Sequence, residues 1–341
     1  MSPFQRISIF LYLVLLAPAM NVRALKRPAT PPPLRLLPNS PGVIYFDLRP
    51  LRAEGLFRTP VAPAPSYARF LRETGFNWEH DLDQVAMALW PLPNDTRALM
   101  VMTGRFSPRM HAWIEKQAQR RWTIHGRQFF RIEGLHRPLV LSWLSRGELA
   151  LSNQPAPSSL QPLLQRWEGA HATPLPRLLR DLNWSRRRRD FLLAAMQPSA
   201  WPTSVHQARP ELNLFQGARR LRLSAQAGAA GPRLSLQVDA ANLEQARNLA
   251  AELITLRLML LNAAPSRANG AQEAAPAAAP NPKLTGLAAG LGKLVSHSSV
   301  HRVRNRVWLR LQVPINELRA WFNAQQVHLA PKLAPQQQPR P

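Results

Sequence analysis

Residues 219–263 read RRLRLSAQAGAAGPRLSLQVDAANLEQARNLAAELITLRLMLLNA. Two runs in this stretch alternate apolar and polar residues. Leu221, Leu223 and Ala225 mark the first; Leu234, Leu236 and Val238 mark the second. A period of two means strands with one face buried. Gly228 and Gly231-Pro232 supply a turn between them. The period then changes. Asn242 is placed to cap a helix, and Gln245 follows three residues later as a partial capping box. Leu249, Leu253, Leu256 and Leu260 recur at helical spacing, a stripe that needs a sheet to cover. The stretch therefore predicts a hairpin followed by a long amphipathic helix.

The same order of elements occurs earlier. Val85, Met87 and Leu89 alternate, Asn94-Asp95 makes a turn, and Ala98, Met100 and Met102 alternate again. Ser107 is a good N-cap before Pro108, whose missing N–H is harmless at the first helical position. A helix over 108–119 would carry Met110, Trp113, Ile114 and Ala118 on one side. The two copies lie about 135 residues apart, far enough to suggest a duplicated strand-strand-helix architecture.

Outward from these, Val43–Phe46 reads as a buried strand and 66–75 as a short helix ended by Gly75. Residues 121–134 and 138–153 read as hairpins, with turns at His125-Gly126 and Arg146-Gly147. Residues 158–168 predict a helix, 191–196 a strand, 197–210 a loop, and 299–314 a hairpin turning near Asn305. The expected fold class is α+β. Two domains are expected, 42–170 and 186–324, each an antiparallel sheet covered by helices. Residues 25–41 read as a Pro-rich basic linker, 264–282 as a flexible Ala/Pro loop, and 325–341 as a disordered tail.

The first 24 residues read as a secretory signal. Arg6 precedes an apolar core, and Ala17-Pro18-Ala19 and Val22-Arg23-Ala24 are small-residue cleavage sites. The apolar run falls short of the roughly 20 residues a membrane-spanning helix needs; an uncleaved N-terminal anchor is the alternative. The 341 residues contain no cysteine. That excludes disulfides, a thiol nucleophile, Cys-ligated zinc and a bacterial lipobox. Export without cysteine fits a bacterial envelope, periplasmic or extracellular.

The net charge is +25, and arginine supplies nearly all of it. A strongly cationic chain attracts anionic polymers or anionic lipid, although a GC-rich genome also raises arginine without any function attached. Two groups stand out as polyanion-binding candidates. Arg186, Arg187, Arg188 and Arg189 form a run beside Trp184. Arg302, Arg304 and Arg306 alternate, which on one strand would put three charges on one face; an exposed, solubilised sheet face is the plainer alternative. Guanidinium forks bind phosphate and carboxylate bidentately, and tryptophan adds stacking.

Signs of catalysis are sparse. No nucleotide-binding glycine loop, nucleophile elbow or HExxH metal motif is present, and no specific nucleic-acid motif. No cofactor and no metal site is expected. His297 and His301 are four apart, but their segment reads as a turn into a strand. His111 and Glu115, also four apart, read as a solvated pair on a helix. The acidic cluster Glu79-His80-Asp81-Asp83 is the most enzyme-like feature, because carboxylates beside a histidine suit acid/base work; capping and strand entry explain it equally well.

The stretches IYFDLRPLR at 44–52, ETGFNWEHDLDQVAMAL at 73–89, VMTGRFSPRMHAWI at 101–114 and LRLQVPINELRAWF at 309–322 resemble an uncharacterised family of exported proteins from Acidobacteria-type soil bacteria. The resemblance implies export and no particular activity or site. Taken together, the sequence predicts an exported envelope protein that is a non-catalytic binding or structural module. Its partners would be envelope proteins or anionic polymers and lipid. An Arg-rich polyanion binder is the first alternative, and a hydrolase using residues 79–83 is the second.

Overall fold

A computed structural model describes residues 31–53, 65–92, 95–133, 138–169, 174–182, 184, 190–208, 215, 217–226, 228, 231–262 and 298–312. Twelve strands form one sheet: β1 Gly42–Asp47, β2 Leu82–Leu92, β3 Asp95–Gly104, β4 Arg120–Ile124, β5 Arg127–Glu133, β6 Pro138–Ser145, β7 Glu148–Ser152, β8 Asp190–Met196, β9 Ala218–Gln226, β10 Arg233–Ala240, β11 Ser298–Val303 and β12 Arg306–Gln312. Among the described residues eight helices accompany them: α1 Pro32–Leu36, α2 Leu48–Ala53, α3 Pro65–Thr74, α4 Trp78–Asp81, α5 Pro108–Gln117, α6 Gln161–Glu168, α7 Thr203–Ala208 and α8 Leu243–Asn262.

The strand order is β11-β12-β10-β9-β8-β1-β2-β3-β7-β6-β5-β4, and every pairing is antiparallel. The mixed helix-and-strand class agrees with the sequence reading. The expectation of two separate sheets does not hold, because one sheet runs through both halves. The seam is β1 against β8, with Val43 opposite Ala195 and Tyr45 opposite Leu193. Both strands are buried along nearly their whole length. A strand with neighbours on both edges and cover on both faces loses its alternation and becomes a continuous apolar run.

Each predicted hairpin forms. In β2/β3, Met87 faces Met100; in β9/β10, Leu223 faces Leu236. At the β4/β5 turn, His125 and Gly126 have φ of 51° and 73°, as a two-residue type I′ turn requires. Ser107 caps α5, its Oγ accepting from Met110 N at 3.1 Å. Asn242 caps α8, its Oδ1 accepting from Gln245 N at 2.8 Å.

Two of the less regular stretches hold more structure than their composition suggests. Within the expected linker, α1 buries Leu34 and Leu36, and Leu37 beyond it is also buried. The loop after β8 contains a 3-10 turn at Pro198–Ala200 and then α7. The expected signal, the 264–282 loop and the tail lie outside the described residues.

Among the described residues, helices cover the sheet unevenly. One face carries α2, α3, α4 and α5 over the first half, burying Ile44, Phe46, Met110 and Ile114. On the same face of the second half, α8 packs Ala246, Leu249 and Leu253 on Leu221, Val238 and Val307. The opposite face carries α1, α6 and the 3-10 turn Arg177–Leu179 over the first half, burying Val43, Tyr45, Leu99, Leu163 and Leu179.

Candidate functional site

In the second half, the face opposite α8 is polar. Antiparallel partners point to the same side, so the register lays out four rows. The first runs Asp190, Gln226, Arg233, Gln312; the second Leu193, Ser224, Ser235, Arg310, Ser299. The third runs Ala195, Arg222, Gln237, Trp308, His301, and the fourth Arg220, Asp239, Arg306, Val303. Apart from Leu193, Ala195 and Val303, these rows make a surface of arginine, amide, hydroxyl and carboxylate with one tryptophan and one histidine.

Side-chain bonds along the rows confirm the arrangement. Gln226 Nε2 donates to Asp190 Oδ1 at 2.6 Å, Arg233 Nε to Gln312 Oε1 at 2.9 Å, and Gln237 Nε2 to Asp239 Oδ1 at 2.7 Å. Arg306 Nε lies 3.4 Å from Asp239 Oδ1. Asp181, just beyond the 3-10 turn Arg177–Leu179, accepts from Arg220 Nη1 at 2.7 and 2.8 Å and from Arg222 Nη2 at 2.6 and 2.5 Å. Five arginines thus share the face with Asp181, Asp190 and Asp239. Arg233 and Arg310 are exposed and have no carboxylate partner among the described residues. They are diagonal neighbours, since Arg233 faces Gln312 and Arg310 stands two residues before it on the same side.

The predicted arginines fall out differently. Arg302, Arg304 and Arg306 do not share a face: the hairpin turns at Arg304, where φ is 54°, and Arg302 sits opposite Val307 on the α8 side. Only Arg306 belongs to the polar face. Arg186–Arg189 lie outside the described residues and immediately precede Asp190 in the chain. The rest of the face left a weaker signal in the sequence. Arg220 and Arg222, and Arg306 and Arg310 around Trp308, recur at even spacing on the polar side of predicted strands.

The acidic cluster is bound up in local structure. Asn77 caps α4, its Oδ1 accepting from Glu79 N at 2.9 Å, and Asp81 Oδ2 accepts from Asn77 N at 2.9 Å. Asp83 is ion-paired with Arg52, which also donates to Leu82 O at 2.6 Å. Arg105 donates to His80 O at 2.7 Å. A Cβ at Gly104 would collide with the Asp81 carbonyl, so glycine there lets β3 lie against the end of α4. Glu79 is partly buried, and burial pushes its carboxyl above the usual range against a smaller opposing effect of His80.

His111 and His301 sit in separate local settings. The His111 ring stacks on Trp143 with centroids 3.8 Å apart. His301 Nε2 is 3.0 Å from Ser299 Oγ, and His297 lies outside the described residues. Among the described residues no group of three His, Asp or Glu is placed to hold a metal ion, and no helix is long and apolar enough to cross a membrane.

The chain matches no protein-family model, and no curated protein is significantly similar to it. Among solved structures it is similar to crystal forms I, III and IV of TP0453. The TM-scores are 0.44, 0.46 and 0.45 and the identities 11%, 11% and 9%, over 86%, 87% and 85% of this chain and 96%, 100% and 95% of that one.

Proposed function

We propose that this is an exported bacterial envelope protein that acts by binding rather than by catalysis, and that its ligands are anionic polymers held on the polar face of β9, β10, β12 and β11. One observation carries the reading: a broad sheet face presents Arg233 and Arg310 to solvent without carboxylate partners among the described residues. A rigid sheet fixes the spacing at which these side chains leave the backbone, and guanidinium forks suit anionic oxygens. The leader-like first 24 residues support export. The capping roles of Asn77 and Asp81, and the pairing of Asp83, favour binding over hydrolysis at 79–83.

A duplicated architecture is part of the same proposal. Outward from the seam, one half runs β1-β2-β3-β7-β6 and the other β8-β9-β10-β12-β11. In each, a single strand, a hairpin and a helix precede a hairpin whose second strand pairs with the third. The β4/β5 hairpin is then an insertion in the first copy.

A salt series tests the binding. The full chain should bind dextran sulfate with an affinity that falls steeply as salt rises, because binding releases counterions. Replacing Arg233 and Arg310 by alanine should flatten that dependence. Weak binding at low salt, or an unchanged slope in the double variant, would overturn the placement on this face.

A further inference from the structure

Around Arg233 and Arg310, which lack carboxylate partners among the described residues, the polar face has a particular chemistry. Trp308 is partly buried and lies on the same side as Arg306 and Arg310, one on each flank along β12. His301 is its partner on the edge strand β11. Ser235 and Ser299 stand on either side of Arg310, and Gln237 stands beside Trp308. We infer that Trp308, Arg310 and Arg233 form a subsite for an acidic polysaccharide, with a sugar ring stacked on the indole and its anionic group on the guanidinium forks. This rests on the polyanion reading above and narrows it.

The composition separates this ligand from the other polyanions. Single-stranded nucleic acid is held by successive aromatic platforms, one per base; among the described residues this face has one tryptophan. A lipid surface needs apolar side chains to enter the interface, and among the described residues outside β8 the face offers Val303 alone. Sugar hydroxyls both donate and accept. Serine hydroxyls and glutamine amides do the same, and they occupy the positions between the charges. Neighbouring same-face positions along β12 repeat about every 7 Å, so Arg306 and Arg310 flank the indole closely enough for one sugar unit to meet stack and charge together.

The test compares polymers on the full chain. Polygalacturonate supplies carboxylated sugar, dextran sulfate supplies sulfated sugar, polyglutamate supplies carboxylates without sugar, and neutral dextran supplies sugar without charge. Polygalacturonate or dextran sulfate should bind more tightly than polyglutamate of matched charge, and the stronger of the two tells which acid group the subsite prefers. Trp308→Ala should weaken the preferred glycan roughly tenfold and leave polyglutamate unchanged, while Trp308→Tyr, which keeps a ring, retains most of the affinity. Equal binding of polyglutamate and both glycans would overturn the sugar subsite and leave the polyanion reading standing. No binding by any charged polymer would overturn both. If Trp308→Ala fails to fold, the polymer ranking and the tyrosine variant decide alone.

Discussion

Arg222 is buried under Asp181 while Asp181 stays half in water: their side chains are 8% and 49% exposed, and the closest contact is 2.5 Å. Asp181 is held over β9 from the segment that precedes β8, so the pair ties a loop to the sheet. Among the described residues Arg222 Nε has no partner of its own, and Asp181 is the carboxylate that answers this buried cation.

Asp181→Ala should therefore destabilise the protein by about 2 kcal/mol, the loss of charge-assisted hydrogen bonds to a group that stays buried. Urea denaturation measures it. Adding Arg222→Met should recover part of the loss, since an apolar residue of similar length removes the stranded charge. No loss in the single variant would mean that water reaches Arg222 freely.

Asn242→Ala should cost about 1 kcal/mol, the usual value of an N-cap. Gln245 works in the other direction, its Oε1 accepting from Ala241 N at 3.1 Å. Combining Asn242→Ala with Gln245→Ala should give less than the sum of their separate effects, because they act on one turn. Thermal unfolding of the two single variants and the double variant checks this.

His111 gives a pH dependence. Burial lowers its pKa, outweighing the opposing effect of Glu115, so the folded value lies below the unfolded value of about 6.5. Its contribution to stability is complete above that value and is lost as the pH falls through the folded pKa. His111→Phe keeps a ring against Trp143 without the proton. The variant should gain on the wild type as the pH drops from 7 to 5, read as the difference between their urea midpoints. A constant difference would sink this account.

Glu79 runs the opposite way. Its folded pKa is raised by burial, so its contribution is complete below the unfolded value of about 4.3 and is lost as the pH rises through the folded pKa. Glu79→Gln should be more stable than the wild type at pH 7, and the advantage should shrink towards pH 4. A catalytic carboxylate would instead show itself as lost turnover on a hydrolase substrate panel.

Local patterns in the sequence foretold local structure well. The β9/β10 hairpin, α8 with its Asn242 cap, α5 behind Ser107 and the β11/β12 hairpin all rest on contacts between residues close in the chain. The seam between β1 and β8 was hidden for a physical reason. The apolar runs at 43–46 and 191–196 announce strands with neighbours on both sides, but nothing in either names the partner, and the pairing bridges nearly half the chain. The polar face was hidden in another way. Contiguous runs such as Arg186–Arg189 draw attention, whereas a surface assembled from Arg222, Arg233 and Arg310 exists only once three strands are in register. Arg302 shows the converse, since a hairpin turn sends it to the opposite side from Arg306.

The seam also sets an order for biosynthesis. When residues 42–170 have been made and 190–196 have not, β1 can pair with β2 on one edge, but its other edge, apolar on both faces, has no partner. Such an edge recruits any strand it meets, including β1 of a second nascent copy. The first half is therefore an adhesive intermediate that matures when its own β8 arrives, and a chain truncated between the halves should accumulate as strand-paired aggregates rather than as a smaller folded protein.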